Sequence, residues 1–389
     1  MDLISSLTQK DDPVAGEAVS WANAAFALDL YGQLRGNEGN LFFSPHSISS
    51  ALALTYAGAA GDTHSQMEKA LHFPDTGEVH AGFARLRKDL VKTARKEGVE
   101  LKIANSLWPR KGDKFLKEYL SLVRKAFGAR ITQVDFADSE TARNRINAWV
   151  EDKTENRIKE IVNPGALDAM TRLVLVNAIY FKADWTRKFD EAFTQPAAFF
   201  NGEDEPPEVQ LMKQEGSFRY AHVEDLQVLE LPYANGAFSM LVLLPDKQDG
   251  LTKLEESLSM DNFKQWLSKL EETEVEVFLP RFELTYPFRL DGALKTLGMT
   301  DAFSEAADFS GMNGGHDLYL GAVLHKAFVA VNETGTEAAA ATLAVMVTKG
   351  LSFPAATFRA DHPFLFLIRE NSSESILFMG RLVKPETKG

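Results

Sequence analysis

The sequence predicts an α+β fold, and three observations lead to this prediction. Helix-like periodicity dominates residues 1–165, whereas strand-like runs dominate the chain after residue 170. Helices and strands that occupy separate parts of a chain are typical of the α+β class. No linker rich in proline, glycine or serine and no internal repeat divides the 389 residues. We therefore expect a single domain over residues 1–389.

The predicted helices follow from apolar residues at three- and four-residue spacings. The first covers residues 17–35. Ser44 and Pro45 begin the second, because serine accepts a backbone hydrogen bond at a helix cap and proline fits the first turn. The same pattern predicts further helices over 62–71, 79–96, 114–127, 139–159, 260–271 and 287–297.

The predicted strands are mostly short and alternate between apolar and polar residues. Leu173–Phe181 is the exception, since it is almost continuously apolar, as expected for a strand buried on both faces. Two strands, Glu100–Trp108 and Arg130–Phe136, lie among the helices. The others are predicted over 208–213, 217–222, 226–232, 237–244, 274–284, 317–331, 363–369 and 375–383.

Composition excludes several classes of function. The chain has 55 acidic and 42 basic residues and a net charge of −13, so its field repels nucleic acid and anionic membranes. It has no cysteine, which excludes disulfides, zinc–thiolate sites, iron–sulfur clusters and a cysteine nucleophile. No run approaches the roughly 20 apolar residues of a membrane span, and the start MDLISSLTQKDDPV lacks the signal-peptide pattern.

No catalytic motif identifies the chain as an enzyme. The G-x-S-x-G, P-loop, G-x-G-x-x-G and H-E-x-x-H patterns are absent, and the eight histidines show no ligand-like spacing. His325 is interpreted as a buried core histidine and Ser44 as a helix cap. We expect no catalytic residue, no metal and no cofactor, although a triad built from distant residues would leave no such pattern.

The segment 333–362 is unusual, because about 30 residues is long for an ordered connection between two strands. Its part Thr336–Thr348 contains neither glycine nor proline. Every second residue from the start of this part is small or apolar: Thr336, Ala338, Ala340, Thr342, Ala344 and Met346. This alternation is typical of a strand with one face intended for a core. The four successive alanines leave a helix as the alternative.

At this segment the sequence resembles a known family. Glu333–Thr342 resembles the hinge of the reactive-centre loop of inhibitory serpins, and Phe358–Ile368 resembles the C-terminal signature of that family. The resemblance implies the serpin fold: one domain with three β-sheets, eight or nine helices and an exposed reactive-centre loop at about 333–357. Other serpin-like motifs occur in the expected order at Asn40–Pro45, Leu175–Lys182, Leu229–Tyr233 and Phe378–Arg381.

The resemblance also implies suicide inhibition of a serine protease. The protease cleaves the loop and forms an acyl ester, and residues 336–348 then insert into the main sheet as a new strand and carry the protease away in a covalent 1:1 complex. The spacing found in inhibitory members places the cleaved bond between Lys349 and Gly350. A lysine there implies a trypsin-like target. Met346, Thr348 and Leu351 are alternatives for the residue before the bond.

Individual residues receive roles from the same resemblance. Gly335 allows the hinge to bend, and small side chains allow the strand to enter. Trp185 matches the aromatic residue of the breach, where the loop first enters the sheet. The hinge comprises Glu333, Gly335, Thr336, Glu337, Ala338, Ala339, Ala340, Ala341 and Thr342, and the shutter, whose hydrogen bonds gate strand separation, comprises Ser44, Ser47, Asn177 and His325.

Two properties stay open at this point. The alternative function is that of a non-inhibitory serpin, a chaperone, carrier or storage protein, but such members usually have proline, charged or bulky residues at inward hinge positions. The family implies a monomer that can form loop–sheet polymers. It also favours secretion, with the cytoplasm as the alternative because the given sequence has no signal peptide.

Overall fold

The computed structural model describes residues 13–74, 76–336 and 354–386, and within them it confirms the α+β class. None of the described helices is long and apolar enough to cross a membrane. Ser44 caps the second helix as predicted, because its side chain accepts a hydrogen bond from the Ser47 N–H. The helices are α1 (Pro13–Leu34), α2 (Pro45–Tyr56), α3 (Gly61–Ala70), α4 (Thr76–Lys96), α5 (Lys117–Leu122), α6 (Ser139–Lys153), α7 (Leu251–Ser257), α8 (Met260–Ser268), α9 (Asp291–Thr296) and α10 (Ser310–Asn313).

The described strands form two hydrogen-bonded sheets, one of six strands and one of nine. They are β1 (Leu41–Phe43), β2 (Glu100–Pro109), β3 (Arg130–Ile131), β4 (Leu173–Asp184), β5 (Gln195–Ala198), β6 (Glu208–Val223), β7 (Leu226–Tyr233), β8 (Phe238–Pro245), β9 (Glu271–Pro280), β10 (Phe282–Arg289), β11 (Leu320–Val331), β12 (Gly335–Thr336), β13 (Ala356–Arg359), β14 (Phe364–Glu370) and β15 (Ser375–Leu382).

The six-stranded sheet has the order β10-β11-β12-β4-β2-β3. Along most of their length β4 and β11 pair directly and in parallel, from Leu173 opposite Leu320 to Tyr180 opposite Phe328. Only at the upper end does β12 lie between them, with Thr336 opposite both Ala183 and Val331. Strands β4 and β11 are therefore paired directly from Leu173 to Tyr180 of β4, and the two residues of β12 separate them beyond that point.

The nine-stranded sheet has two parts that share the long strand β6. The order is β1-β15-β14-β8-β7-β6-β9-β13, with β5 also paired to β6. Residues 211–220 of β6 pair with β9, whereas residues 219–223 pair with β7. The described strands therefore form two hydrogen-bonded sheets, the second of them in two parts, where the resemblance implies three sheets, and ten helices are described where it implies eight or nine.

Strand β4 is buried on both faces, as its continuous apolar run predicts. Val176 and Ala178 pack on one side with Ile146 of α6, while Leu175 and Ile179 face the main core on the other. A strand in this position can leave its neighbour only if the layers above and below it allow the movement.

Two of the local predictions that were wrong have a common cause. The helix predicted over 287–297 begins at Asp291, because Pro287–Arg289 stay in β10 and pair with β11. The strands predicted over 208–213 and 217–222 are one strand, β6, whose pairing with β9 continues through the intervening residues. In both places the pairing with a distant strand outweighs the local pattern.

Candidate functional site

The structure brings Ser44, Ser47, Asn177 and His325 together beneath the six-stranded sheet. We call these four residues the gate cluster. Asn177 and His325 are register neighbours on β4 and β11, and the two serines lie at the start of α2. Each of the four side chains is at most 1% exposed. The cluster therefore joins the two strands that the loop would separate.

The hydrogen bonds of His325 define its protonation. Its Nε2 atom accepts from the Ser44 N–H at 3.0 Å, so the ring proton is on Nδ1, which donates to Asn177 Oδ1 at 2.5 Å. Complete burial lowers the pKa of His325 from 6.5 to about 3. The ring is therefore neutral at physiological pH, and both nitrogens are engaged.

Asn177 and the serines complete an uncharged network. The Asn177 amide donates to the Ser47 carbonyl at 3.1 Å and to the Ser47 hydroxyl at 2.5 Å. The Ser44 hydroxyl donates to the Leu377 carbonyl at 2.5 Å. Two strands of one sheet, helix α2 and strand β15 of the other sheet are thereby connected. A neutral network can exchange its partners without exposing a buried charge to an apolar environment.

Sequence reasoning missed Asn105, which extends the cluster onto β2. Asn105 lies opposite Asn177 in the antiparallel register, and its carbonyl oxygen accepts from the Asn177 amide. Its own amide donates to Ser50 of α2 at 3.3 Å. The only signal in the sequence is a single amide side chain inside the mostly apolar run of β2, and the pattern does not show which residue it faces.

At the upper end of the sheet, Glu333 anchors the base of the loop. Glu333 is 4% exposed, and its two carboxylate oxygens share the single Arg281 Nε–H, at N···O distances of 2.6 and 2.8 Å. The Thr194 hydroxyl donates to the same carboxylate at 2.5 Å, and the Phe189 N–H donates to the Glu333 carbonyl at 2.9 Å. We call Glu333, Arg281 and Thr194 the hinge clamp. Sequence reasoning identified only the first of them.

Trp185 lies against the hinge, where the resemblance places the breach. Its indole N–H donates to the Asn332 carbonyl at 2.9 Å, and its ring stacks on Tyr233 with centroids 4.0 Å apart. The Tyr233 hydroxyl is 2.7 Å from the hydroxyl of Thr336, which is fully buried. The first inward residue of the hinge is thus already packed in the sheet.

Gly335 is required for a reason other than the predicted bend. A Cβ atom at this position would lie 2.1 Å from the Ala183 carbonyl and 2.7 Å from the Asp184 Cα, in a backbone with a φ of 157°. Only glycine permits the loop to approach β4 so closely.

The last residues of the predicted loop, 356 and 357, belong to strand β13, and residues 337–353 lie outside the described residues. This applies to the hinge residues Glu337, Ala338, Ala339, Ala340, Ala341 and Thr342, to the predicted bond between Lys349 and Gly350, and to its alternatives Met346, Thr348 and Leu351. Within the described ranges, no three histidine, aspartate or glutamate side chains are placed to hold a metal ion.

Comparisons with known proteins agree with this architecture. The model of the family described as serpin (serine protease inhibitor) matches residues 21–385. Leukocyte elastase inhibitor of Homo sapiens is 45% identical over 381 residues, covering 95% of this chain and 100% of that protein. Serpin B3 of Homo sapiens is 42% identical over 390 residues with the same coverage.

Solved structures give the same result. Uncleaved ovalbumin aligns with a TM-score of 0.84 and 33% identity, covering 95% of this chain and 100% of that structure. Maspin aligns with a TM-score of 0.87 and 30% identity, covering 96% and 100%. Leukocyte elastase inhibitor and the family description both name protease inhibitors, which confirms the expectation that the chain is not an enzyme. Whole-chain matches in both sequence and structure show that this chain belongs to the serpin family.

Proposed function

We propose that this chain is a suicide-substrate inhibitor of serine proteases that traps its target by inserting the cleaved loop between β4 and β11. The observation that supports this most is the position of β12. Gly335 and Thr336 already pair with β4 at the upper end, while β4 and β11 pair directly below. A cleaved loop that continued this register would replace the direct pairing step by step.

The free energy of such an insertion is favourable. It would exchange one parallel interface, with eight registered pairs between β4 and β11, for two antiparallel interfaces. Parallel pairing is slightly less stable per residue. The added strand would form on the order of ten further hydrogen bonds, each contributing about 0.5–1.5 kcal/mol, besides burying its inward side chains.

The gate cluster is proposed to control this exchange. The bond between His325 and Asn177 joins β11 to β4, so it has to break when a strand enters between them. Because the cluster carries no charge, its groups can take new neutral partners on the inserted strand. The one-domain organisation over 1–389 and the loop bounds 333–357 belong to the same proposal.

Two observations favour different classes of target protease. Whole-chain likeness to leukocyte elastase inhibitors favours an elastase-like target, whose small pocket accepts small or apolar side chains. Met346, Thr348 and Leu351 are the candidate residues before such a cleaved bond. The second candidate is a trypsin-like target, favoured by Lys349 at the position expected from the hinge. We favour the elastase-like target.

The test is to mix the protein separately with leukocyte elastase and with trypsin, followed by a denaturing gel and intact-mass analysis of the released fragment. A complex that survives SDS supports trapping, and the first residue of the fragment identifies the bond, Gly350 for cleavage after Lys349. Lys349→Ala should abolish trapping of trypsin only. Clean cleavage by both proteases, with no rise in the melting temperature of the cut product, would contradict the proposal and leave a non-inhibitory serpin.

The compartment is also a proposal. Likeness to leukocyte elastase inhibitor and serpin B3 gives secretion no support. We therefore propose that the protein is cytoplasmic and acts as a monomer without a cofactor. Fractionation of cells that express the native chain tests this. Recovery of the protein mainly from the medium would contradict it.

A further inference from the structure

A pocket of about 190 Å³ lies where helices α7 and α8 pack against one end of the nine-stranded sheet. Leu254 and Trp266 line it from the two helices. Glu224 and Leu226 line it from the turn between β6 and β7, and Pro245 lines it from the end of β8. We call it the α7–α8 pocket. No residue of the gate cluster or the hinge clamp lines it, so it is separate from the path proposed for the loop.

The α7–α8 pocket is apolar where it is buried and polar where it is exposed. Its buried lining residues are Leu226, Pro245, Leu254 and Trp266, whereas its exposed lining residues carry charges or an amide. The Trp266 indole offers a flat apolar surface on which an aromatic or branched side chain packs well. An apolar floor with a few polar groups at the rim is typical of small-molecule sites, and this volume suits a ligand with one large side chain.

The rim of the pocket carries two carboxylates and two ammonium groups, those of Glu224, Asp225, Lys247 and Lys253. Asp225 and Lys253 form an ion pair, because Lys253 Nζ lies 2.8 Å from Asp225 Oδ2. The side chains of Lys247 and Glu224 have no hydrogen-bond or ion-pair partner within the described chain. The rim therefore has no net charge, and it offers one unpaired cation and one unpaired anion.

The two unpaired charges at the rim select the class of ligand. A ligand with one charge is attracted by one of these groups and repelled by the other, whereas a zwitterion is attracted by both. An α-amino acid carries its carboxylate and its ammonium on the same carbon atom, so its side chain can enter the pocket while both charges stay at the rim. Beside them the Gln265 amide offers a donor and an acceptor, since it has no partner within the described chain.

We propose that the α7–α8 pocket binds a zwitterionic amino acid with a large apolar side chain. The carboxylate of the ligand pairs with Lys247, its ammonium pairs with Glu224, and its side chain packs on the Trp266 indole. The charge-assisted hydrogen bonds supply the selectivity, and the buried apolar surface supplies the affinity. The inference goes beyond the proposed function and does not depend on it, because it concerns a separate part of the molecule.

The test is a titration of the native protein at neutral pH with three ligands that share one phenyl body, followed by saturation-transfer NMR. They are L-phenylalanine, 3-phenylpropanoate, which lacks the ammonium, and 2-phenylethylamine, which lacks the carboxylate. We expect L-phenylalanine to bind in the millimolar range, as is usual for so small a ligand, and the other two to bind about tenfold more weakly. A truncated ligand that binds as well as L-phenylalanine would overturn the inference, and so would the absence of L-phenylalanine binding at about 20 mM.

Variants of the rim test the two charges separately. Lys247→Gln should weaken L-phenylalanine binding about tenfold and strengthen 2-phenylethylamine binding, because a repulsion is removed. Glu224→Gln should weaken L-phenylalanine binding alike and strengthen 3-phenylpropanoate binding. Lys264→Gln is the matched control, since Lys264 lies on α8 outside the pocket, with its ammonium 4.3 Å from the centroid of the Trp21 ring. Rim variants that keep the native order of the three affinities would contradict the proposed contacts.

Tryptophan fluorescence locates the ligand. All five tryptophans of the chain lie in the described ranges, and of these only Trp266 lines the pocket. L-phenylalanine should change the emission of the native chain but not that of Trp266→Phe, whose apolar wall still supports binding in the NMR titration. An emission change that persists in Trp266→Phe would show that the ligand binds elsewhere. If this variant does not fold, the rim variants decide the question, and because they should trap protease as the native chain does, a failure of the proposed function leaves this test intact.

Discussion

The gate cluster and the hinge clamp both fix the six-stranded sheet, but they differ in charge and exposure. The gate cluster is neutral and at most 1% exposed, and it joins β4 directly to β11. The hinge clamp contains an ion pair whose Arg281 side chain is 34% exposed, and it fixes the base of the loop beside the sheet. Under the proposed insertion, the junction that has to open is therefore held by neutral hydrogen bonds, whereas the base of the loop is held by an ion pair.

The largest effect is expected from a charge on the inward face of the hinge. Thr336 is fully buried between β4 and β11, and its hydroxyl lies 2.7 Å from that of Tyr233. Thr336→Arg would have to bury an unpaired guanidinium, which costs several kcal/mol. We expect the variant to be cleaved as a substrate, with the SDS-stable complex lost.

Thr334→Arg is the matched control, because Thr334 is only half-buried and precedes the inserted strand. Its yield of complex, measured by gel densitometry at equal protease, should stay close to that of the native chain. A full yield from Thr336→Arg would show that this face does not enter the sheet.

Loss of the hinge clamp should have the next largest effect. Glu333→Gln removes the carboxylate and leaves Arg281 without its ion-pair partner, so the base of the loop is held less firmly. We expect spontaneous inactivation at 37 °C to accelerate several-fold, measured as loss of inhibitory capacity. Asp184→Asn, which removes an exposed pair with Lys188 at 2.7 Å, should leave the rate unchanged. Equal inactivation rates in the two variants would show that the hinge clamp does not slow spontaneous inactivation.

The next prediction concerns the gate cluster, where we expect a moderate loss of unfolding free energy. Glutamine at position 325 cannot match both hydrogen bonds of the ring, so His325→Gln should lower the unfolding free energy by about 1–3 kcal/mol. It should also change the rate of spontaneous inactivation, since β4 and β11 lose one link. Ser50→Ala, at the edge of the network, is the control. An unchanged inactivation rate in His325→Gln would exclude His325 from the gate.

The last expected effect, of similar size, is a dependence of stability on pH. His80 is 2% exposed, neither ring nitrogen has a partner within the described chain, and burial lowers its pKa to about 4. The unfolded chain takes up this proton near pH 6.5, so the native state loses stability as the pH falls below that value. The loss is about 2 kcal/mol between pH 7 and pH 5.

Urea unfolding of His80→Phe tests this prediction. Phenylalanine suits the site, because the His80 ring packs against the rings of Tyr56 and Phe127. The variant should lose less unfolding free energy between pH 7 and pH 5 than the native chain does. An identical pH dependence in the two proteins would show that His80 does not titrate in this way.

The sequence predicted what depends on local pattern. The apolar run of β4 predicted burial on both faces, and Ser44 with Pro45 predicted the cap of α2. The alternating strand around His325 predicted a buried core histidine, which agrees with its neutral, fully buried ring. Its grouping with Asn177 came only from the resemblance.

What depends on contacts between distant segments could not be predicted. Arg281 and Thr194 reach Glu333 from positions 52 and 139 residues away. Asn105 meets Asn177 because of the register of two antiparallel strands. No local pattern carries that register, and the close approach that requires Gly335 appears only once β4 is in place.

The most direct test of loop insertion is to prevent β4 and β11 from separating. Ala178 and Lys326 are register neighbours on these strands, and the chain has no other cysteine to interfere. The distance between adjacent strands allows a disulfide in Ala178→Cys/Lys326→Cys. The single variant Lys326→Cys controls for the lost bond from Lys326 to the Lys159 carbonyl.

The measurement is the yield of SDS-stable complex with the responsive protease, before and after the disulfide is reduced and its thiols are alkylated. We expect the oxidised double variant to be cleaved without forming a complex and the reduced form to recover most of the yield. An oxidised variant that traps protease as well as the reduced one would show that the loop does not insert between β4 and β11.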